Sequence, residues 1–227
     1  MNRLDLIELI IKYPYNGFDI NETYEFDETI LHAFLRDIEN SYETMKFVLS
    51  LNTNLDINAK NADGETAFAM ACKEGALDFA LLLSIQPSID LNTKDDEGMT
   101  PLLTAYQHQN LDIVHQLLKL DRIDVNACNN NGFTLLHLVC KRGDLKMISK
   151  LAKIPSIDVN ARAKNGGTPL HIACKRQNKV LVKTLCQFLI GMDLIAEDKH
   201  GKEPTEYISK EGIEIGDILM NYALNKQ

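Results

Sequence analysis

Apolar residues along this chain come in pairs of short bursts, each pair closed by an extended segment. A burst such as "LHIAC" (170–174) is followed by a polar break. A second burst such as "LDIVHQLLKL" (111–120) then puts Ile113, Val114, Leu117 and Leu118 on one face at helical spacing. Segments of the type "IDVN" (123–126, 157–160) lead into a polar tip that carries glycine. The pattern predicts two helices, an extended exit and a tight turn, over and over.

The recurrence is close to regular. Gly64, Gly98, Gly132 and Gly166 lie 34 residues apart, and Gly201 follows after 35. Thr66, Thr100, Thr134 and Thr168 keep step, as do Asp56, Asp90, Asp124 and Asp158. Asp19, Asn21 and Thr29 extend the series backwards with a step of 37, which predicts an insertion around Asp37 to Tyr42 between the first two helices. Each Thr precedes a helix as its N-cap, and Pro101 and Pro169 fill the first helical position, where no N–H is missed. One helix pair cannot bury both its apolar faces, so neighbouring pairs must stack.

These residues carry a resemblance to the ankyrin repeat family. "GGTPLHIAC" (166–174) matches the family's G-x-T-P-L-H-x-A core. "GFTLLHLVC" (132–140), "GMTPLLTAY" (98–106), "GETAFAMAC" (64–72) and "DETILHAFL" (27–35) match it with losses. The fold expected is an all-α solenoid of stacked helix–turn–helix units with β-hairpin-like loops. We expect one domain, 1–227: an N-terminal half-repeat cap at 1–26, full repeats at 27–60, 61–94, 95–128, 129–162 and 163–198, and a C-terminal cap at 199–227. In that cap "GKEPTEYIS" should begin a first helix and "IEIGDILMNYAL" a second. Second helices in the family usually end on a left-handed glycine. Here the exits "IQPSID", "LDRID" and "IPSID" are one residue longer, and Pro87 and Pro155 are expected to stop the helix. Ser88 and Ser156 then need no positive φ.

Composition narrows function. The net charge of −8 disfavours non-specific binding to nucleic acid or anionic membrane. No apolar run approaches the ~20 residues of a membrane span. The N-terminal "MNRLDLIELIIKYP" lacks the layout of a signal peptide. Five cysteines, without C-x-x-C or zinc spacing, suggest a reducing compartment, the cytoplasm or nucleus, and leave the Asn21-Glu22-Thr23 sequon unused. Cys72, Cys140 and Cys174 share a core position; Cys128, near a tip, should be exposed. No catalytic motif is present, so an enzyme is not expected, nor any cofactor or metal. His32, His137 and His171 recur in register, and the resemblance implies that they lock each turn to Thr29, Thr134 and Thr168.

The resemblance also implies a non-catalytic adaptor or scaffold that docks a partner on its concave face and hairpin tips, acting as a monomer. Matching positions are Lys73, Asp96, Glu97, Met99, Tyr106, His108, Asn131, Phe133, Lys141, Arg142, Arg162, Lys164, Lys175 and Arg176. The second and third tips are acidic. The fourth and fifth repeats are basic at tip and helix, so the partner should be acidic there. Met99 and Phe133 are expected as exposed anchors, with Tyr106 projecting into the groove. Asn58, Asn92, Asn126 and Asn160 match the hairpin asparagine hydroxylated in some ankyrin proteins; the competing role is to satisfy backbone groups. Alternatives are a gankyrin-like assembly chaperone for a proteasomal ATPase subunit, or a nucleotide- or RNA-sensing module stacking bases on Phe133.

Overall fold

The computed structural model describes residues 19–50, 54–209 and 212–224. Most of the expected N-terminal cap, 1–18, lies outside them. The chain forms two compact units, residues 1–123 and 124–227.

In the first unit the helices are α1 (Ile30–Leu35), α2 (Ile38–Ser50), α3 (Ala67–Glu74), α4 (Leu77–Ser84), α5 (Pro101–Gln107) and α6 (Leu111–Leu117). A 3₁₀ turn at Glu25–Asp27 precedes them. The insertion after the first helix lies where α2 begins and lengthens it to 13 residues. The second unit holds α7 (Leu135–Arg142), α8 (Leu145–Leu151), α9 (Pro169–Lys175), α10 (Lys179–Phe188), a 3₁₀ turn at Pro204–Tyr207 and α11 (Ile213–Leu224).

First helices pack on first helices and second on second. In the first unit α3 lies between α1 and α5, and α4 contacts α2 and α6. In the second, α9 lies between α7 and the 204–207 turn, and α10 between α8 and α11. The core is the seam between the two rows: Phe34, Phe68, Phe79, Leu83 and Leu103 in one unit, Leu135, Val139, Ile148, Leu170 and Leu185 in the other. Each such side chain contributes roughly 1.5–3 kcal/mol by leaving water. This is an all-helical fold, and the described residues contain no strand, only an isolated bridge between Lys60 and Thr66.

Sequence sets each helix start. Thr134 Oγ1 accepts from the N–H three residues on, and His137 Nδ1 accepts from the Thr134 N–H at 3.2 Å, a histidine version of the capping box. His32 and His171 repeat it with Thr29 and Thr168. Backbone N–H only donates, so Nδ1 is unprotonated and Nε2 carries the proton. Nε2 donates to a carbonyl in the following repeat: Glu65 from His32 (3.0 Å), Gly167 from His137 (3.3 Å) and Lys202 from His171 (3.0 Å). The histidine thus caps its own helix and pins the next tip.

Two expectations change. The C-terminal first helix is only the four-residue 3₁₀ turn Pro204–Tyr207, because Ile208 is already extended (ψ 127°). The prolines do not stop helices. α4 and α8 end before them, and α6, with Asp121 where Pro87 and Pro155 stand, ends in register. In all three exits an N–H bonds back three residues: Ile89 to Gln86 (3.3 Å), Ile123 to Leu120 (3.1 Å) and Ile157 to Ile154 (3.1 Å). Pro87 and Pro155 occupy the second position of that turn, where their fixed φ fits. Among the described residues the non-glycine positive φ values fall at Phe26, Asp27, Gln109 and Gln177, not at Ser88 or Ser156.

Candidate functional site

The tips are built on Asx turns. Asp95 Oδ1 accepts from Glu97 N–H (2.9 Å) and Met99 N–H (2.7 Å), and Asn129 Oδ1 from Asn131 and Phe133 N–H (3.0 Å each). Gly132 (φ 77°) completes the second of these turns, and Gly166 (φ 79°) holds the matching place in the next tip, where Ala163 supplies no such acceptor. A Cβ on either would also meet the next tip's backbone, Lys164 N at 2.7 Å and Lys199 N at 2.8 Å, so glycine is required twice over. Close approach lets Lys164 N–H donate to the Asn131 carbonyl and Lys199 N–H to the Asn165 carbonyl, both at 2.9 Å.

The hairpin asparagines form a second ladder. Asn126 Nδ2 donates to the Ser156 carbonyl (2.7 Å), and its Oδ1 accepts from Asp158 N–H (2.8 Å). Asn58 does the same with Ser88 and Asp90, and Asn160 with Gly191 and Asp193. Asn92 Nδ2 donates to the Arg122 carbonyl at 2.8 Å. These amides satisfy backbone groups of the following repeat rather than local ones.

The residue just before each N-cap threonine faces the side chain seven places after that threonine. In the first two repeats the pair is ionic. Arg36 Nε donates to Glu28 Oε2 (2.8 Å), and Lys73 Nζ meets Glu65 Oε1 at 2.7 Å. Both glutamates are buried, and these bonds hold Arg36 and Lys73 protonated above their usual ranges. Lys73 is therefore half-buried and committed, not a free contact. Met99 occupies the third such position, 4% exposed. The turn bonds at Asp95 roll its side chain inward, and it lines a cavity of 420 Å³ walled by Asp63, Asp95, Asp96 and Glu97. The expected exposed anchor at 99 is thus corrected to a buried one. Tyr106 is corrected likewise: it is 1% exposed. Its position six places after the threonine is the inward one that Cys72, Cys140 and Cys174 fill, all fully buried. Asp96, Glu97 and His108 are exposed, and His108 Nδ1 lies 3.0 Å from the Thr104 carbonyl.

In the second unit the pair changes chemistry. Phe133 is half-buried, its ring 5.6 Å from that of His137, and Lys141 Nζ stands 5.8 Å over it. In the next repeat Gly167 leaves the position empty. The space is a cavity of 340 Å³ lined by Phe133, Gly167, His171, Ile172 and Tyr207, with Lys141, Lys175 and Arg176 at its edge. Tyr207 closes the far side. Its hydroxyl donates to Asp198 Oδ2, a bond that holds the Asp198 carboxyl at about 2, well below its usual range. Lys175 and Lys202 ammonium groups lie 5.8 and 5.4 Å from the Tyr207 ring centre. Arg176 Nη1 donates to the Lys141 carbonyl at 2.6 Å, and Arg162 reaches the Glu197 carbonyl. Asn131, Arg142, Arg162 and Lys164 are exposed but do not line the cavity.

Sequence reasoning missed Tyr207, Gly167, Ile172, Asp198 and Lys202. Only Gly167 left a signal, a doubled glycine where sister repeats carry Glu, Met or Phe. Cys128, expected exposed, is half-buried, as is Cys186.

The family described as "Ankyrin repeats (3 copies)" matches residues 1–95, 82–163 and 136–227. The chain belongs to the ankyrin repeat family. Members generally mediate protein–protein interaction and are typically non-catalytic. The chain is similar to the solved ankyrin repeat domain of Bcl-3, a member of the IκB family: TM-score 0.81, 22% identity, 96% of this chain and 91% of that one. It is also similar to an ankyrin repeat domain from Acinetobacter baumannii AYE: TM-score 0.71, 24% identity, 85% of this chain and 97% of that one. These likenesses concern the fold. A search of curated proteins finds no match. No helix among the described residues is long and apolar enough to cross a membrane.

Proposed function

We propose that this ankyrin repeat protein is a non-catalytic adaptor that binds an acidic surface of a partner protein through residues 124–227. The observation that carries the reading is an uneven distribution of charge. Residues 124–227 hold 15 Lys and Arg against 11 Asp and Glu, while 1–123 hold 9 against 21. Within the basic unit, Lys141, Lys175 and Arg176 are exposed and converge on one cavity. Lys141 and Lys175 make no ion pair among the described residues. Like charges gathered on one side add their potentials, which speeds association and selects a complementary partner more than it adds affinity. The reading implies a monomer in a reducing compartment, needing no cofactor.

Affinity purification with cross-linking identifies the partner, and stopped-flow association then tests the reading. The on-rate should fall steeply with salt and drop about tenfold or more when Lys141 and Lys175 are both changed to Glu. A partner whose association ignores both salt and charge reversal would refute it.

A further inference from the structure

At the position before the N-cap threonine the two units carry Glu28, Glu65 and Met99, then Phe133 and Gly167. Four of these five send in a side chain, buried at Glu28, Glu65 and Met99 and half-buried at Phe133. Gly167 alone sends none, and the gap lies between an aromatic ring on each side, Phe133 and Tyr207. Its walls are apolar: both rings, the edge of His171 and the side chain of Ile172. Three ammonium groups, Lys141, Lys175 and Lys202, stand within 5.4–5.8 Å of those rings. The one carboxylate lining the cavity, Asp198, stays ionised; it accepts from the Tyr207 hydroxyl and fixes that ring in place, and the three ammonium groups outnumber it. The result is a pre-formed apolar slot inside a ring of positive charge.

We propose that this slot receives one bulky apolar side chain, Leu, Met or Phe, of an acidic linear segment in the partner protein. The proposal rests on the function given above and names the chemistry that site selects. The apolar side chain fills the volume Gly167 vacates and covers the two rings. Flanking carboxylates meet the lysines, whose ammonium groups already lie beside the two rings. An acid-rich segment without the apolar residue would be attracted but not held; an apolar segment without acids would meet uncompensated cations. Gly167 also supplies the means of testing. Its φ is not left-handed, and an added Cβ comes nearest the Asn165 side chain, Oδ1 at 3.2 Å, whose exposed amide accepts from the Gly167 N–H at 3.1 Å and need give by only a few tenths of an ångström. A side chain is therefore compatible with the backbone there, as Met99 and Phe133 show at the same place in sister repeats. Gly167→Met should fold and plug the slot from within.

The experiment uses the full chain and fluorescein-labelled nine-residue peptides, read by fluorescence anisotropy. One peptide has four Asp or Glu on each side of a central Leu, a second has Ala at the centre, and a third has Leu flanked by Ser and Gln. A (dT)₈ oligonucleotide is the fourth probe. We expect the acidic Leu peptide to bind at least fivefold more tightly than each of the other three. Gly167→Met should abolish the preference for Leu over Ala while leaving the salt-dependent binding of both acidic peptides. Phe133→Ala, which opens one wall, should weaken the Leu peptide about fivefold or more and the Ala peptide little, and it serves if Gly167→Met fails to fold by circular dichroism. Acidic peptides that bind equally whatever their central residue overturn the slot but leave the acidic-partner reading standing. Failure of both acidic peptides to bind, or tighter binding of (dT)₈, overturns both. Equal binding of the uncharged Leu peptide overturns the requirement for acids.

Discussion

Gln109 and Gln177 stand two periods apart, each at the exit of a first helix, and both are left-handed, with φ of 65° and 54°. Sister exits use Gly75 and Gly143 (φ 76° and 78°). Ala76 N–H donates to the Ala71 carbonyl (3.0 Å) and Asn110 N–H to the Ala105 carbonyl (2.9 Å), so glycine and glutamine exits share one helix-ending bond. A side-chain-bearing residue in this conformation costs roughly 1–2 kcal/mol. Glycine returns roughly 0.5–1 kcal/mol of that through the greater freedom of the unfolded chain. Gln109 is exposed and its side chain makes no hydrogen bond among the described residues, so Gln109→Gly should stabilise the protein by about 0.5–1 kcal/mol. Gln177 differs. Its Nε2 donates to the Tyr207 carbonyl (2.6 Å), and its Oε1 accepts from Ser209 N–H (3.0 Å). Those two bonds fasten the segment that carries the Tyr207 wall, and losing them costs about 1–3 kcal/mol. Gln177→Gly should therefore destabilise, despite relieving the same backbone strain. Urea unfolding followed by circular dichroism reads both signs as shifts of the midpoint. If both variants shift in the same direction by the same amount, the assignment of strain and clamp is wrong.

Further outcomes follow from the cross-repeat bonds and buried groups. Asn126→Ala removes a donor and an acceptor that span two repeats, and should cost about 1–3 kcal/mol in urea; a loss below ~0.3 kcal/mol would show the ladder to be incidental. Burial pushes the His32 and His137 imidazoles below their usual range, so the unfolded chain takes up protons first. Their contribution is complete above about pH 6.5 and is lost as pH falls below it, so the urea midpoint should drop between pH 7 and 5.5; a rise on acidification would contradict the neutral Nε2–H tautomer. Burial also pushes the Cys174 thiol up to about 12 and Cys186 to about 11, with Cys72 and Cys140 higher still. Iodoacetamide at pH 8 should label Cys128 first, Cys186 slowly and the other three only on unfolding, as read by peptide mass spectrometry.

What the sequence determines by itself is everything that repeats. The Thr caps and the asparagine ladder recur every 34 residues after the first repeat, and the His locks fall in register with them in three repeats, because each makes a bond within one repeat or to the next, and such bonds need only the period to form. The inward place of Cys72, Cys140 and Cys174 follows from helical spacing alone. Tyr106 obeys the same spacing: its size suggests a surface anchor, but its register places it inside. The tertiary structure decides what happens where the pattern is broken. Met99 and Phe133 hold one sequence position, yet one is buried under an acidic tip and the other forms the wall of a slot. The difference lies in the next repeat, where glycine at 167 leaves space that no feature of Phe133 announces. Tyr207 comes from a segment that keeps Gly201 and Pro204 in register but forms only a 3₁₀ turn, and it reaches that space because Gln177 and Asp198 hold it there. A repeat's sequence encodes its own bonds, whereas a cavity is the volume left between side chains of several repeats, and that sum is available only after they have stacked.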